Sequence, residues 1–379
     1  MRRRYAAAAA LSLALVLVGG CSDDDGTSAT GTDSTSPAPD ASSEATSDAP
    51  TPTGSSGDPG PTDTGTAIPT TRLLDWHSLG KPGRDTVVRS PEWTVTVPDS
   101  GAEARLVGPS RTATVAAGKG RRITDAFLDG EHAVIVAQDQ QETRPQTITT
   151  IKLETFTLDE VRSPQPGPAG PVAYDDGTLT YAVYRPGGND FCLATYDVGS
   201  GSGEKGYCAP PREGFSNATV SPSGVGLMIF DDTRPVSCRT LVDVDGSETT
   251  PVRGTPECTG WETLRTGNGA VWSELPNEKR VERGIFYATV DNAVEELGPG
   301  TNGTLTWCGD SAYFARDAQK DRDKARLLRW TPDGELQVVY ETPGLGDAFL
   351  APPTCGDGVL TVTAYAEGGD ERVWATVPE

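Results

Sequence analysis

A short turn signal recurs along the chain at near-constant spacing, and it restricts the available architectures more than any other feature. It stands at Asp129-Gly130, Asp176-Gly177, Ser223-Gly224, Asn268-Gly269, Gly309-Asp310 and Asp357-Gly358, at successive intervals of 47, 47, 45, 41 and 48 residues. Extrapolated back by one interval, it falls near Ser90-Pro91-Glu92-Trp93. Around these turns apolar residues alternate with period two, as in Trp93-Thr94-Val95-Thr96-Val97 and Val359-Leu360-Thr361-Val362-Thr363, which is the pattern of strands. One stretch, Asp317 to Leu328, looks helical, but it is densely charged and lies between two strand patterns, so it reads as a long hairpin loop.

Units of this size cannot bury their apolar faces alone. Circular stacking of four-stranded units, a β-propeller, solves that problem at a period of about 45 residues. The roughly 310 residues from Thr71 to Glu379 divide into seven units of about 44 residues or six of about 52. An all-β ring of seven blades is therefore expected, with six as the alternative. The last unit shows only three strand patterns, Ala348–Leu350, Val359–Ala366 and Arg372–Val377. A bare edge there would invite pairing with another chain. The segment Arg72-Leu73-Leu74-Asp75-Trp76 is expected to fill it, pairing near Arg372–Val377 and closing the last blade from the N-terminal side.

The fourth unit reads Val220-Ser221-Pro222-Ser223-Gly224-Val225-Gly226-Leu227-Met228-Ile229-Phe230, then Leu241-Val242-Asp243-Val244-Asp245-Gly246. It resembles the TolB-type propeller repeat, with Ser223 where that family has Asp. Leu193-Ala194-Thr195-Tyr196-Asp197 and Leu327–Gly334 are looser versions, similar also to quinoprotein-like propellers. This resemblance implies a fold and no activity, because propellers host unrelated functions.

The chain opens Met1-Arg2-Arg3-Arg4, continues with an apolar run from Ala6 to Val18, and reaches Val18-Gly19-Gly20-Cys21. That run is too short to span a bilayer and reads as a secretory signal. The segment resembles a bacterial lipoprotein signal, which implies cleavage after residue 20 and acylation of Cys21 with palmitate-type chains; an ordinary signal peptide is the alternative. Residues 22 to 69 hold nine Asp/Glu and no Lys or Arg among Ser, Thr, Pro, Gly and Ala, a composition that builds no core. The expected organisation is a signal over 1–20, a disordered tether over 21–70 and the propeller over 71–379. The lipoprotein signal, the tether and the excess of Arg over Lys look like those of actinobacterial cell-surface proteins. The expected location is the outer face of the cell membrane, reached through the lipid at Cys21.

Setting Cys21 aside, six cysteines remain, an even number in an exported chain. Cys192 and Cys208 lie symmetrically about Ser200, and Cys238 and Cys258 about Glu248, so each pair is expected to bridge neighbouring strands. Cys308 and Cys355 differ by 47 residues, one period, and are expected to link equivalent sites on adjacent blades.

Motifs for chemistry are scarce. The formal charge of −22 repels nucleic acid. Only His77 and His132 occur, in different units, and neither a G-x-S-x-G elbow nor an H-E-x-x-H pair is present. Gly201–Gly206 fits G-x-G-x-x-G but lies in a hairpin loop rather than at a helix start. Asp243-Val244-Asp245-Gly246 and Asp231-Asp232 are the densest acidic groups, and neither completes a calcium loop. Six tryptophans fall in or beside strands and read as packing between blades, while Trp261 could line a binding face. No catalytic, cofactor-binding or metal-ligating residue is assigned, and no cofactor is expected. The resulting expectation is a monomeric, membrane-anchored, non-enzymatic scaffold binding a protein, peptide or glycan. The alternative is an extracytoplasmic carbohydrate-active hydrolase or lyase using carboxylates of the channel.

Overall fold

Each of the recurrent turns joins the first strand of a four-stranded antiparallel sheet to its second. The computed structural model describes residues 63–184, 191–233, 237–290, 293–319 and 323–378. Within them the chain forms seven sheets and no helix. The first strands of the blades are Thr86–Arg89, Arg121–Leu128, Val172–Asp175, Glu213–Ser221, Gly260–Thr266, Thr306–Cys308 and Thr354–Gly356. Each blade touches the next, and the seventh touches the first, so the ring is closed with seven blades. The charged stretch from Asp317 is a connection, with Arg326–Trp330 as the third strand of blade 6.

Apolar clusters lie between successive blades. Leu106 and Leu128 meet between blades 1 and 2, and Ile148 and Tyr181 between blades 2 and 3. Between blades 5 and 6, Phe286 and Phe314 stack with ring centroids 4.2 Å apart beside the fully buried Trp330. Each such side chain contributes roughly 1.5–3 kcal/mol when removed from water, which is why an isolated blade has nothing to fold against. Of the tryptophans, Trp272 and Trp330 are fully buried in these junctions; Trp76, Trp93, Trp307 and Trp374 are half-buried.

Blade 7 takes its outer strand from the N-terminal side, as expected, but with different residues. The strand is His77–Gly80, antiparallel to Glu371–Thr376, with His77 opposite Trp374 and Ser78 opposite Val373. The segment 72–76 is held one blade earlier. Its amides at Arg72 and Leu74 donate to Val338 and Val339 at 2.9 and 3.0 Å, and the Trp76 indole donates to the Val339 carbonyl at 2.8 Å. Trp76 also packs edge-on against Tyr340 at 5.3 Å. Burying that indole fixes the segment over blade 6, so only the following residues reach the edge of blade 7. Upstream, Thr70–Thr71 pairs in parallel with blade 6 and Asp63–Thr66 with blade 5. The N-terminal arm thus belts three consecutive blades.

Cys192 and Cys208 are bonded and stand opposite each other on the third and fourth strands of blade 3. Cys238 is bonded to Cys258, but Cys258 lies beyond the fourth strand of blade 4, which ends at Pro251. Proline offers no amide to continue the ladder, and the chain turns toward blade 5, placing Thr259 beside Arg239. Cys308 and Cys355 are bonded across the first strands of blades 6 and 7, with Cα atoms 5.6 Å apart. Cys21 and the signal and tether expectations lie outside the described residues.

Candidate functional site

Because every blade is a meander that starts at the axis, all first-to-second turns emerge on one face. Asp176-Gly177 and Asp357-Gly358 both have positive φ at each residue, 41° and 75° in the first, 49° and 69° in the second. This is the tight hairpin turn that Asp-Gly accommodates with least strain. The repeat that builds the fold therefore also sets carboxylates around one mouth of the ring.

A central channel of about 1000 Å³ runs within the ring. Residues from all seven blades line it, among them Thr86, Asp125, Asp175, Thr219, Leu264, Thr306 and Thr354. At the turn-bearing mouth, Asp129, Asp175, Asp176 and Asp357 converge from blades 2, 3 and 7. The blade 2 and blade 7 turns are in contact: a Cβ on Gly130 would come within 3.0 Å of the Asp357 carboxylate.

Asp129 is anchored. One of its oxygens accepts the Glu131 and His132 amides at 2.6 and 2.5 Å, and the other accepts the Tyr174 hydroxyl. Asp175 is different: burial, then the charges of Asp176 and Asp129, push its carboxyl up to about 7. Burial, followed by Asp129 and Asp176, also raises Asp357. Asp125 faces channel solvent, yet the body of the ring surrounds it, and that burial raises it too. For Asp175 and Asp357, both the burial and the neighbouring charges work against ionisation. His132 is buried beside this group, with Nδ1 4.0 Å from Asp129. It is a channel residue rather than a surface one, whereas His77 lies at the outer seam against Trp374, 4.7 Å between rings. The two histidines are not brought together.

The acidic groups that stand out in sequence are placed elsewhere. Asp231 caps Thr233 at the far end of the second strand of blade 4. Asp243 lies on that blade's third strand, raised by burial against the opposing charge of Arg265. Residues 202–206 form part of a strand of blade 3. Trp261 is half-buried under Arg239, whose guanidinium sits 5.8 Å from the ring and pairs with Glu278 at 2.8 Å. Glu262 is fully buried and pushed up to about 7 by that burial. It accepts the Gly303 amide at 2.9 Å and is spent on joining blade 5 to the loop before blade 6. Among the described residues, no three His, Cys, Asp or Glu side chains are grouped so as to hold a metal ion.

No family model matches the chain, and no curated protein is similar to it in sequence. Solved structures that resemble it include a prolyl endopeptidase, with TM-score 0.53 and 14% identity over 79% of this chain. The chain spans only 47% of that endopeptidase. The β-propeller domain of the Trilobed protease from Pyrococcus furiosus matches with TM-score 0.52 and 11% identity, over 80% of this chain and 96% of that domain. That domain is described as having an open velcro topology, whereas here the N-terminal strand of blade 7 closes the ring. An oligogalacturonate lyase from Vibrio parahaemolyticus reaches TM-score 0.49 at 14% identity, over 83% of this chain and 99% of the lyase. At these identities the likeness is one of fold. The protein is a seven-bladed propeller resembling prolyl-peptidase and TolB-like propeller folds.

Proposed function

We propose that the protein is a lipid-anchored, extracytoplasmic binding propeller that takes a cationic group of its ligand into the acidic mouth of the channel. One observation carries this reading. Asp129, Asp175, Asp176 and Asp357 line one end of a channel of about 1000 Å³, and the causes that raise Asp175 and Asp357 are burial and the charges of Asp129 and Asp176. An ammonium or guanidinium group arriving there would relieve that repulsion and draw a proton off Asp175. The anchor part rests on sequence: the lipoprotein-like Val18-Gly19-Gly20-Cys21 and the acidic tether, which would hold the ring off the outer face of the cell membrane in an actinobacterial-type envelope. The test is calorimetric titration with lysine amide at pH 7.5 and low salt. Binding should be measurable, should weaken with added salt, and should fall at least tenfold in Asp175→Asn. Binding that is undetectable, or indifferent to that substitution, contradicts the reading.

A second reading is favoured by the same Asp175. A carboxyl pushed up to about 7 beside other carboxylates has the protonation range of a general acid. It would make the protein an extracytoplasmic hydrolase or lyase. Turnover of oligosaccharide substrates that disappears in Asp175→Asn while lysine amide fails to bind would favour this reading over the first.

A further inference from the structure

The mouth of the channel continues sideways. A cavity of about 550 Å³ lies between blades 1 and 2 and shares Gly130 and Glu131 with the channel. Its walls are the first-to-second turn of blade 1, with Glu92 and Trp93, and the third-to-fourth turns of blades 1 and 2, with Arg111 and Lys152. A single turn, Asp129 to His132, separates the two spaces, and the Asp129 carboxylate pins it by accepting two of its amides.

Trp93 is a fixed, half-buried wall of this groove. Gly108 lies against its ring so closely that a Cβ there would stand 2.4 Å from the indole, and Phe156 packs 5.6 Å away. The rest of the groove carries charges of both signs on exposed side chains: Glu92, Glu131 and Glu154 with Arg111 and Lys152. This differs from the mouth, which the carboxylates of Asp129, Asp175, Asp176 and Asp357 line.

We infer that mouth and groove form one extended site for a peptide, with a basic side chain or an amino terminus in the mouth and the following residues across Trp93 between blades 1 and 2. The inference rests on the reading of the mouth as a cation site. Charge selects peptide over glycan. A neutral glycan can donate hydroxyl hydrogen bonds to these carboxylates but brings no positive charge to relieve their repulsion, and an anionic one is repelled by them. A peptide supplies the cation, apolar surface for the indole and side chains of either sign for the groove.

The test uses the purified protein and three probes: lysine amide, a hexapeptide of one lysine followed by leucine, serine, glutamate, serine and leucine, and a neutral tetrasaccharide of N-acetylglucosamine. The block is Ser110→Trp, which fills the groove from an exposed turn and replaces no residue that lines the channel. The hexapeptide is expected to bind at least tenfold more tightly than lysine amide. Ser110→Trp should remove that advantage while leaving lysine amide binding and the melting temperature unchanged. A hexapeptide no tighter than lysine amide, an advantage that survives Ser110→Trp, or tighter binding of the tetrasaccharide overturns the inference but leaves the mouth intact as a cation site. If neither lysine amide nor the hexapeptide binds, the mouth reading falls, and this inference with it.

Discussion

Six junctions of the ring join blades that follow each other in sequence, and the seventh joins blade 7 to blade 1 across nearly the whole chain. The six are built around apolar clusters. At the seventh, polar contacts are prominent. Arg372 donates to the Asp85 carboxylate at 2.9 Å and to the Asp85 carbonyl at 2.7 Å. Thr354 donates to the Val87 carbonyl at 2.8 Å, and the Arg89 guanidinium sits 4.5 Å over the Trp374 ring. Successive blades are delivered to each other by a short loop, so non-directional packing is enough. Blade 7 and blade 1 must find each other from opposite ends of the chain, and directional bonds fix which strand docks and in which register. The Arg372 side chain is only 7% exposed, so a misregistered seam would leave a buried charge unpaired.

That contrast makes the seam the place where the ring is most easily broken. The largest effect is expected from removing residues 1–81, which deletes His77–Gly80. The chain should lose most of its stability, of order 5 kcal/mol, and its single cooperative melting transition. Removing only residues 1–68 strips the strand on blade 5 and should lower the stability read by urea unfolding by no more than about 1 kcal/mol. Equal losses in the two truncations would mean that the belt, and not the closing strand, holds the ring.

The disulfides sharpen the comparison. Cys308–Cys355 closes a loop of 47 residues between blades, and Cys192–Cys208 one of 16 within a blade. In the chain-entropy treatment these contribute about 4 and about 3 kcal/mol. Replacing the first pair with serine should cost more, as read by urea unfolding at pH 7. Next in size, Arg372→Ala should cost roughly 3 kcal/mol, and Arg372→Lys should recover only part of it, because lysine cannot hold the Asp85 carboxylate and carbonyl with one planar fork.

The smallest effects are those of pH, and they have opposite signs in the two regions. At the seam, burial works to raise the Asp85 carboxyl, but hydrogen bonds and charge from Arg372 hold it below the usual carboxylate range. Its contribution is present at neutral pH and lost as pH falls through that lowered value. At the mouth, the folded-state value for Asp175 is about 7, above its value in the unfolded chain. Its contribution is complete below the unfolded-chain value of about 4 and is lost as pH rises from there to about 7. Asp175→Asn should therefore flatten the decline in stability between about pH 4 and 7, by under about 1 kcal/mol after screening, while Arg372→Ala should flatten the loss below about pH 4.

The turn signal made much of this legible, since a period near 45 residues fixes blade size, and blade size fixes the number of blades. The same signal contained the mouth: Asp129, Asp176 and Asp357 are its own first residues, and the axis of a propeller gathers equivalent turns on one face. They escape attention because density along the sequence favours Asp243 and Asp231, whereas the ring assembles single carboxylates from distant units. The closing strand was legible in kind but displaced in position, because the Trp76 indole has a burial site on blade 6 that no pattern in residues 72–76 reveals. Symmetry about Glu248 likewise paired Cys238 with Cys258 but could not show that Pro251 ends the strand before Cys258 is reached.

Amide hydrogen exchange with and without lysine amide tests the functional account most directly. Slowed exchange is expected at Asp129–His132, Asp175–Gly177 and Asp357–Gly358, with the outer strands of the blades unchanged. Protection that appears elsewhere, or nowhere, while the ring stays folded would contradict it.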